Sequence, residues 1–251
     1  MVDSDKTRIQ KVLSGAGVAS RRNIEEMVLE GRISVNHKVV SELPFFVTPG
    51  DEIRVDGKRI RLGSGKKIYY LLNKPKGVVC TQKDELGRRR AVDYIPPIGK
   101  RVYCVGRLDA DSTGLIILTN DGELTNQLTH PKHGVTKTYI VEVDGRISGE
   151  DVDKLKAGVW VAGSKTDRAG IKILGRNPKS SLLEIHLSEG RNRQIRRMLV
   201  RMGHKVRKLK RTAIGPVTGR GLKAGSCRPL RPNEVTALRR LATKGKQAKS
   251  K

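Results

Sequence analysis

The longest run of aliphatic side chains in the sequence, Leu115 to Leu118, is four residues long. That length sets the scale of everything the chain can build. A membrane-spanning helix needs roughly 20 consecutive apolar residues, so no span and no membrane partner are expected. Four aliphatic residues suit a strand crossing a core, bounded here by Gly114 on one side and the turn residues Asn120-Asp121-Gly122 on the other. A hydrophobic share of 36% is enough for a packed core and excludes wholesale disorder. At 251 residues the chain has room for one ordinary domain and a small second one. The start, MVDSDKTRIQ, is polar and lacks the apolar stretch of a secretory leader. Cys80, Cys104 and Cys227 are odd in number and widely spaced in the chain, which argues against a disulfide framework or a zinc site. A cytoplasmic protein without a metal is the expectation.

Charge then narrows the partner. The 52 Lys and Arg outnumber 25 Asp and Glu, leaving +27, and the natural partner of such an excess is a polyanion. Residues 1–62 carry a net +2, residues 63–185 a net +7, and residues 186–251 a net +18. Most of those late cations sit within patterned sequence and decorate a folded surface. One Trp, five Tyr and two Phe cannot furnish the stacking platforms of many single-strand readers. Recognition of backbone and shape by Lys and Arg, weakening steeply with salt, is expected instead.

In the first sixty residues, Thr7 and Gln10 have the spacing of a capping box ahead of Ile9, Val12, Leu13 and Ala16. Gly15 and Gly17 close that helix. Ser20 is placed to cap a second helix carrying Ile24, Met27 and Val28, stopped by Gly31. Ile33, Val35, Val39, Val40, Ile53 and Val55 follow as short strands joined by a Pro-Gly-Asp turn. The segment RIQKVLSGAGVASRRNIEEMVLEGRISVNHKVV, with GDEIRVDGKRI behind it, resembles the S4-type RNA-binding domain. The resemblance implies that Arg8, Arg21, Arg22 and Arg32 contact RNA. Cations at a helix start oppose its dipole, so Arg21 and Arg22 favour an anion nearby. The glycine-lysine pair of RLGSGKK lacks the first glycine and the Ser/Thr of a phosphate-binding loop, so that stretch reads as a linker.

The centre of the chain holds GRLDADSTGLIILTNDG, with Asp109 and Asp111 crowded at the mouth of the core strand beside Arg107. Three readings compete. Asp109, Asp111, Thr113 and Gly114 fall at the first, third, fifth and sixth places of a calcium loop, but Asn120 replaces the bidentate Glu and a strand occupies the exiting helix. Alternatively, Asp109 pairs with Arg107 or caps a turn. The third reading is catalytic, because carboxylates gathered beside a cation are where chemistry often sits. The wording of the segment favours the third, since it resembles the signature of the pseudouridine synthases of the RsuA/RluB type. Three further stretches resemble that family's motifs in order: Lys74-Pro75-Lys76-Gly77-Val78-Val79, Lys137-Thr138-Tyr139, and Glu189 to Arg197.

That resemblance implies isomerisation of a uridine in ribosomal RNA, by cleaving the bond between ribose C1′ and uracil N1 and rejoining the base through C5. It implies Asp109, Tyr139 and Arg191 as the catalytic set: Asp109 at the ribose, Tyr139 against the base, and Arg191 as the cation keeping Asp109 ionised. An oxocarbenium-like centre calls for a carboxylate, and a carboxylate in a dry pocket calls for a cation. Leu108, Thr113, Gly114 and Ile195 would shape the pocket. Arg107 would fill the space left by the extruded base, or hold a phosphate. Lys74, Lys76, Arg193, Arg196 and Arg197 would contact RNA. By spacing alone, Tyr139 is an ordinary strand aromatic in KTYIVEV, and Lys83 to Arg90 is a surface loop or one that closes over substrate. No cofactor is required, since no electrons and no group leave the site.

Ile195, Met198, Leu199 and Met202 recur at helical intervals before Gly203, which predicts a helix with one core face and an arginine-rich remainder. The expected fold class is α+β. A small α/β RNA-binding module spans 1–62 and a linker 63–67. A catalytic domain with a mixed, largely antiparallel sheet flanked by helices spans 68–242, and a basic disordered tail spans 243–251. The long third motif and the closing GLKAGSCRPLRPNEVTALRR favour large-subunit rRNA, free or in a pre-ribosomal particle, as partner of a monomer. The alternatives are a small-subunit enzyme of the same kind and a non-catalytic rRNA-binding or ribosome-assembly factor.

Overall fold

Separate hydrophobic cores form in the two parts of the chain. The protein is described here by a computed structural model covering residues 6–62, 65–161 and 163–248. The described residues up to 67, with 99–101, form one compact unit, and 68–98 with those from 102 onward form the other. Residues 63–64 of the expected linker lie outside the described residues. Among the described residues no helix is long and apolar enough to cross a membrane.

In the first unit, α1 (Ile9–Gly15) and α2 (Arg21–Leu29) pack over a four-stranded sheet. Ile33–Val35 and Ile53–Val55 are the central strands of that sheet, flanked by Lys38–Val39 and Lys58–Arg59. Ile9, Leu13, Ile24, Val28, Ile33 and Ile53 meet in its core, all essentially buried. Ser20 caps α2 as its spacing predicts, its hydroxyl accepting from the Asn23 N–H at 3.1 Å. The capping box at Thr7 does not form. Thr7 and Arg8 pair with Val47 and Phe46 as a short strand, and Arg8 occupies the N-cap position without a side-chain cap. A residue whose backbone is drawn into strand pairing cannot turn its hydroxyl back onto the helix it precedes.

The second unit is built on a nine-stranded sheet. Its longer strands are β1 (Tyr69–Lys74), β2 (Thr113–Thr119), β3 (Lys137–Asp144), β4 (Gly170–Arg176), β5 (Ser180–Leu187), β6 (Val206–Ile214) and β7 (Cys227–Pro229). They lie side by side in the order β4-β5-β3-β6-β2-β1-β7, while Tyr103–Cys104 pairs with β2 and Val217–Thr218 with β6. Pairings are antiparallel except β6 with β2, where Lys210 faces Thr113 and Arg211 faces Gly114. The sheet is therefore mixed and largely antiparallel, as expected.

The aliphatic run sits in β2, buried on both faces. Ile116 and Leu118 join a core with Val141, Leu183 and Met198, and Leu115 and Ile117 join a second with Leu124, Leu128 and Leu238. Period-two alternation between two covered faces is what makes a continuous apolar run useful in a strand. On the first face lie α4 (Gly149–Ala157) and α5 (Gln194–Arg201), with Val152, Leu155, Ile195 and Leu199 in the core. On the second lie α3 (Gly122–Thr129) and α6 (Pro232–Ala248). Asp121, expected only as a turn residue, caps α3 through the N–H groups of Glu123 and Leu124 and accepts from Tyr69 Oη at 2.9 Å and Arg239 at 2.5 Å.

The expected disordered tail is corrected over most of its length, because α6 continues to Ala248, while 249–251 lie outside the described residues. Leu238 and Ala242 are fully buried, and a helix anchored there extends without a second nucleation cost, even across Gly245.

Candidate active site

Three segments of the second unit converge on one cavity of about 200 Å³. The segment before β2 brings Arg107, Leu108, Asp109 and Ser112, the start of β3 brings Lys137 and Tyr139, and the segment between β5 and α5 brings Glu189 to Ile195. Arg211 of β6 lines it as well. Asp109, Tyr139 and Arg191 thus share one space although they are far apart in the sequence.

The Asp109 loop is braced from below. Lys74 ends β1 with no exposed surface, and its ammonium donates to the carbonyls of Pro75 at 3.0 Å and Val78 at 2.8 Å. Those bonds close the Pro75–Val78 turn, in which Gly77 takes φ +85° and donates its N–H to Ala110 O at 2.7 Å. Lys74, expected at the RNA, is therefore corrected to a buried post under the loop. Burial holds its ammonium below the usual lysine range, and the carbonyls repay part of that desolvation. Cys80 accepts weakly from the Leu108 N–H at 3.5 Å. Cys104, distant in sequence, hydrogen-bonds to it and holds the Cys80 thiol below the usual cysteine range. Both thiols are free.

From above, two arginines of the third motif hold the carboxylates. Arg193 lies 3.5 Å from Asp109 and 3.2 Å from Asp111, and Arg196 lies 3.2 Å from Asp111. Burial would push the Asp111 carboxyl up, but Arg193 and Arg196 outweigh it and leave it below the usual range. Arg193 sits at the N-cap of α5 with φ +49° and ψ 31°, a left-handed backbone that costs a non-glycine residue about 1 kcal/mol. That turn brings its guanidinium to the Asp109 loop.

Arg191 does something else. Its Nε meets Glu189 at 2.9 Å, and its terminal nitrogens donate to Ser164 Oγ at 2.6 Å and Lys165 O at 2.8 Å. Glu189 is itself buried, accepting from the Asp167 N–H at 2.9 Å and from the Gln194 amide. The expected cation at Asp109 is thus corrected from Arg191 to Arg193. Spacing could not separate two arginines two positions apart in an irregular loop.

The other expected residues divide. Leu108 and Ile195 line the cavity. Thr113 and Gly114 are not among its lining: Thr113 Oγ1 donates to Leu209 O at 3.4 Å, and Gly114 lies against the backbone of Arg211. Both belong to β2, which also excludes the calcium-loop geometry. Arg107, Lys76 and Arg197 are exposed, as are Arg8, Arg21 and Arg22 of the first unit. Arg196 is instead drawn inward, donating to Val206 O at 3.2 Å besides meeting Asp111. Arg32 is already forked onto Asp56 at 2.8 Å and meets Glu30 at 3.1 Å, so an RNA phosphate would have to displace those carboxylates. The 83–90 stretch borders the outer side of Asp109 and is cross-linked by Arg88 to Asp84 at 2.6 Å. Lys137 and Arg211 were not foreseen. The signal for Lys137 is its place two residues before Tyr139 on one strand face, whereas nothing in the KLKRT run marks which cation turns inward.

The family described as RNA pseudouridylate synthase matches residues 68–200, and the S4 domain family matches residues 7–53. A relative from Bacillus subtilis, ribosomal large subunit pseudouridine synthase B, is 44% identical over 96% of this chain and 99% of its own length. One of the same description from Pasteurella multocida is 36% identical over 96% of this chain and 71% of its own. A solved structure described as a pseudouridylate synthase superposes with a TM-score of 0.67 at 28% identity, covering 92% of this chain and 99% of that one.

Proposed function

We propose, on the premise that this chain belongs to the RNA pseudouridylate synthase family, that it converts a uridine of large-subunit ribosomal RNA to pseudouridine. The observation that carries the reading is the cavity itself, where Asp109, Tyr139 and a guanidinium 3.5 Å from the carboxylate meet in a space on the scale of one nucleobase. The large subunit is favoured by the two relatives, whose names specify it and whose similarity runs along nearly the whole chain.

In this reading Asp109 acts at the ribose, attacking C1′ or removing a ribose proton, as the N1–C1′ bond breaks. Arg193 stabilises the carboxylate and Tyr139 packs against the base. Arg191 acts indirectly, by tying the third motif to Ser164 and Lys165. A buried site demands that the uridine leave its stack, at a cost of a few kcal/mol, and Arg107 at the rim is placed to occupy the gap. Asp109, Tyr139 and Arg193 come together within this chain, so the reading needs no second copy, and its substrate is cytoplasmic rRNA, free or in a pre-ribosomal particle.

Isomerisation replaces the C5–H bond by C5–C1′, so that hydrogen must pass to solvent. Unmodified large-subunit rRNA carrying tritium at uracil C5 therefore releases tritium when the protein is added. Release from small-subunit rRNA alone would refute the assignment to the large subunit, and release from neither would refute the activity. Arg193→Met slows release by roughly 10²-fold, the usual consequence of removing one charge-stabilising donor, while the thermal transition stays in place. A rate within about threefold of wild type would show that this contact is incidental.

Deleting residues 1–62 removes a unit with its own core and a run of exposed cations. We expect affinity for full-length rRNA to fall at least about tenfold, with a shallower salt dependence, and the remaining unit to keep its unfolding transition. Equal affinity without that segment would remove the RNA-binding role assigned to it.

A further inference from the structure

Besides Arg107 at the exposed rim, two cationic side chains line the cavity without a counter-ion. Lys137 opens β3 two residues before Tyr139, so the pleat turns both toward the same face, and both line the cavity with Asp109. Among the described residues no hydrogen bond or ion pair engages its ammonium. Arg211, on the neighbouring strand β6, is only 4% exposed. Its Nε donates to Leu115 O at 2.6 Å, while its Nη2 is buried with no partner. The carboxylates of the cavity are committed elsewhere: Asp109 faces Arg193, and Glu189 is held by Arg191. Burial first, and then repulsion from Arg211, bring the Lys137 ammonium down to about 8. Unpaired desolvated cations are costly to keep, and a pocket that retains two is matched to an anion that arrives with its ligand.

We infer that Lys137, with Arg211 behind it, is the subsite that holds the negative charge of the uracil ring while the ring is detached from ribose. This rests on the function proposed above and adds a residue to it. When the N1–C1′ bond breaks, its electron pair departs with the base. Ribose C1′ then gains a bond from the Asp109 carboxylate, or the carboxylate takes the C2′ proton. In both cases uracil leaves as an anion with its charge spread over N1 and the carbonyl oxygens. Turning the ring brings C5 to C1′, and a ring electron pair forms the C5–C1′ bond. The C1′–carboxylate bond breaks, or the C2′ proton returns, regenerating Asp109. The C5 proton leaves to solvent and N1 takes one up, so the product is an isomer and no co-reactant is consumed. A cation on the Tyr139 face of the cavity serves the interval in which the base is bound to nothing.

The test uses the full-length protein and unmodified large-subunit rRNA labelled at uracil C5, with single-turnover tritium release and filter binding as readouts. Lys137→Met should slow release by roughly 10²-fold and leave rRNA affinity within about twofold. Lys137→Arg should restore the rate to within about tenfold of wild type. The ammonium is charged below about 8, so the wild-type rate falls as pH rises through that value, whereas an arginine at 137 keeps its charge and moves this limb upward. Tyr139 on the same strand, Arg211 on β6, Asp109 and Arg107 before β2, and Glu189, Arg191 and Arg193 before α5 face the same space. They are common to both proteins, so a moved limb belongs to residue 137. A Lys137→Met rate within about threefold of wild type overturns the inference. So does weaker binding with a shallower salt dependence and an unchanged rate, which would make the anion an RNA phosphate. An unmoved limb in Lys137→Arg overturns it even if the methionine variant fails to fold. A wild type that releases no tritium overturns the proposed function and this inference with it, whereas an active wild type beside an equally active Lys137→Met overturns the inference alone.

Discussion

Asp109→Asn stops pseudouridine formation, slowing it by about 10⁴-fold or more, and leaves rRNA affinity within about twofold. The substitution replaces one carboxylate oxygen by an amide nitrogen of nearly the same size. The side chain is partly exposed and held by one long contact, 3.5 Å to Arg193, so packing is hardly disturbed. What disappears is the negative charge and the free electron pair. An amide neither bonds to an electron-poor C1′ nor takes a ribose proton, so both routes open to Asp109 close together. Removing an anion from a protein of net charge +27 does not weaken its hold on a polyanion. Tritium release and filter binding on the same RNA measure the two quantities. A variant that still turns over within about a hundredfold of wild type would show that the chemistry belongs to another group.

Gly114→Ala is expected to cost about 4 kcal/mol of stability and to silence the site without touching the cavity. Gly114 takes φ +103°, and a Cβ built there meets Arg211 O at 2.2 Å and Arg211 N at 2.6 Å. Those atoms are backbone, so no rotamer change relieves the overlap. The clash falls on the parallel pairing of β2 with β6, where Gly114 stands opposite Arg211. Strands forced apart at that point separate the Asp109 loop from the strand carrying Arg211. With roughly 2–4 °C lost per kcal/mol in a protein of this size, the melting temperature should drop by about 10 °C. Calorimetry measures this, and a transition within about 2 °C of wild type would mean that the strand spacing yields more easily than the geometry allows.

Much of this protein was legible beforehand wherever local chemistry settles the outcome. Ser20 caps its helix because a hydroxyl three residues from a free N–H needs no distant help. The 115–118 stretch is a strand, and Ile195, Met198 and Leu199 turn inward from their helix, because spacing decides which faces coincide. The order of four motifs behind an RNA-binding module was enough to name the chemistry. Where a second segment intervenes, the local rule gives way. Thr7 lost its cap to pairing with Val47, and the last helix outran its expected end because Leu238 and Ala242 are anchored on a core from distant strands.

The sequence alone determined most of the elements and the chemistry, since periodicity, caps and motif order are properties of neighbours along the chain. It did not determine which of several similar cations serves which purpose. Lys74, Lys137, Arg191, Arg193, Arg196 and Arg211 all sit in basic motifs. The fold buries Lys74 under a turn, ties Arg191 to Ser164 and Lys165, aims Arg193 at Asp109 and leaves Lys137 unpaired in the cavity. The physical reason is that a cation's role is set by its desolvation and by the carboxylates within a few ångströms. Both are fixed only when loops far apart in the chain close around the same small space.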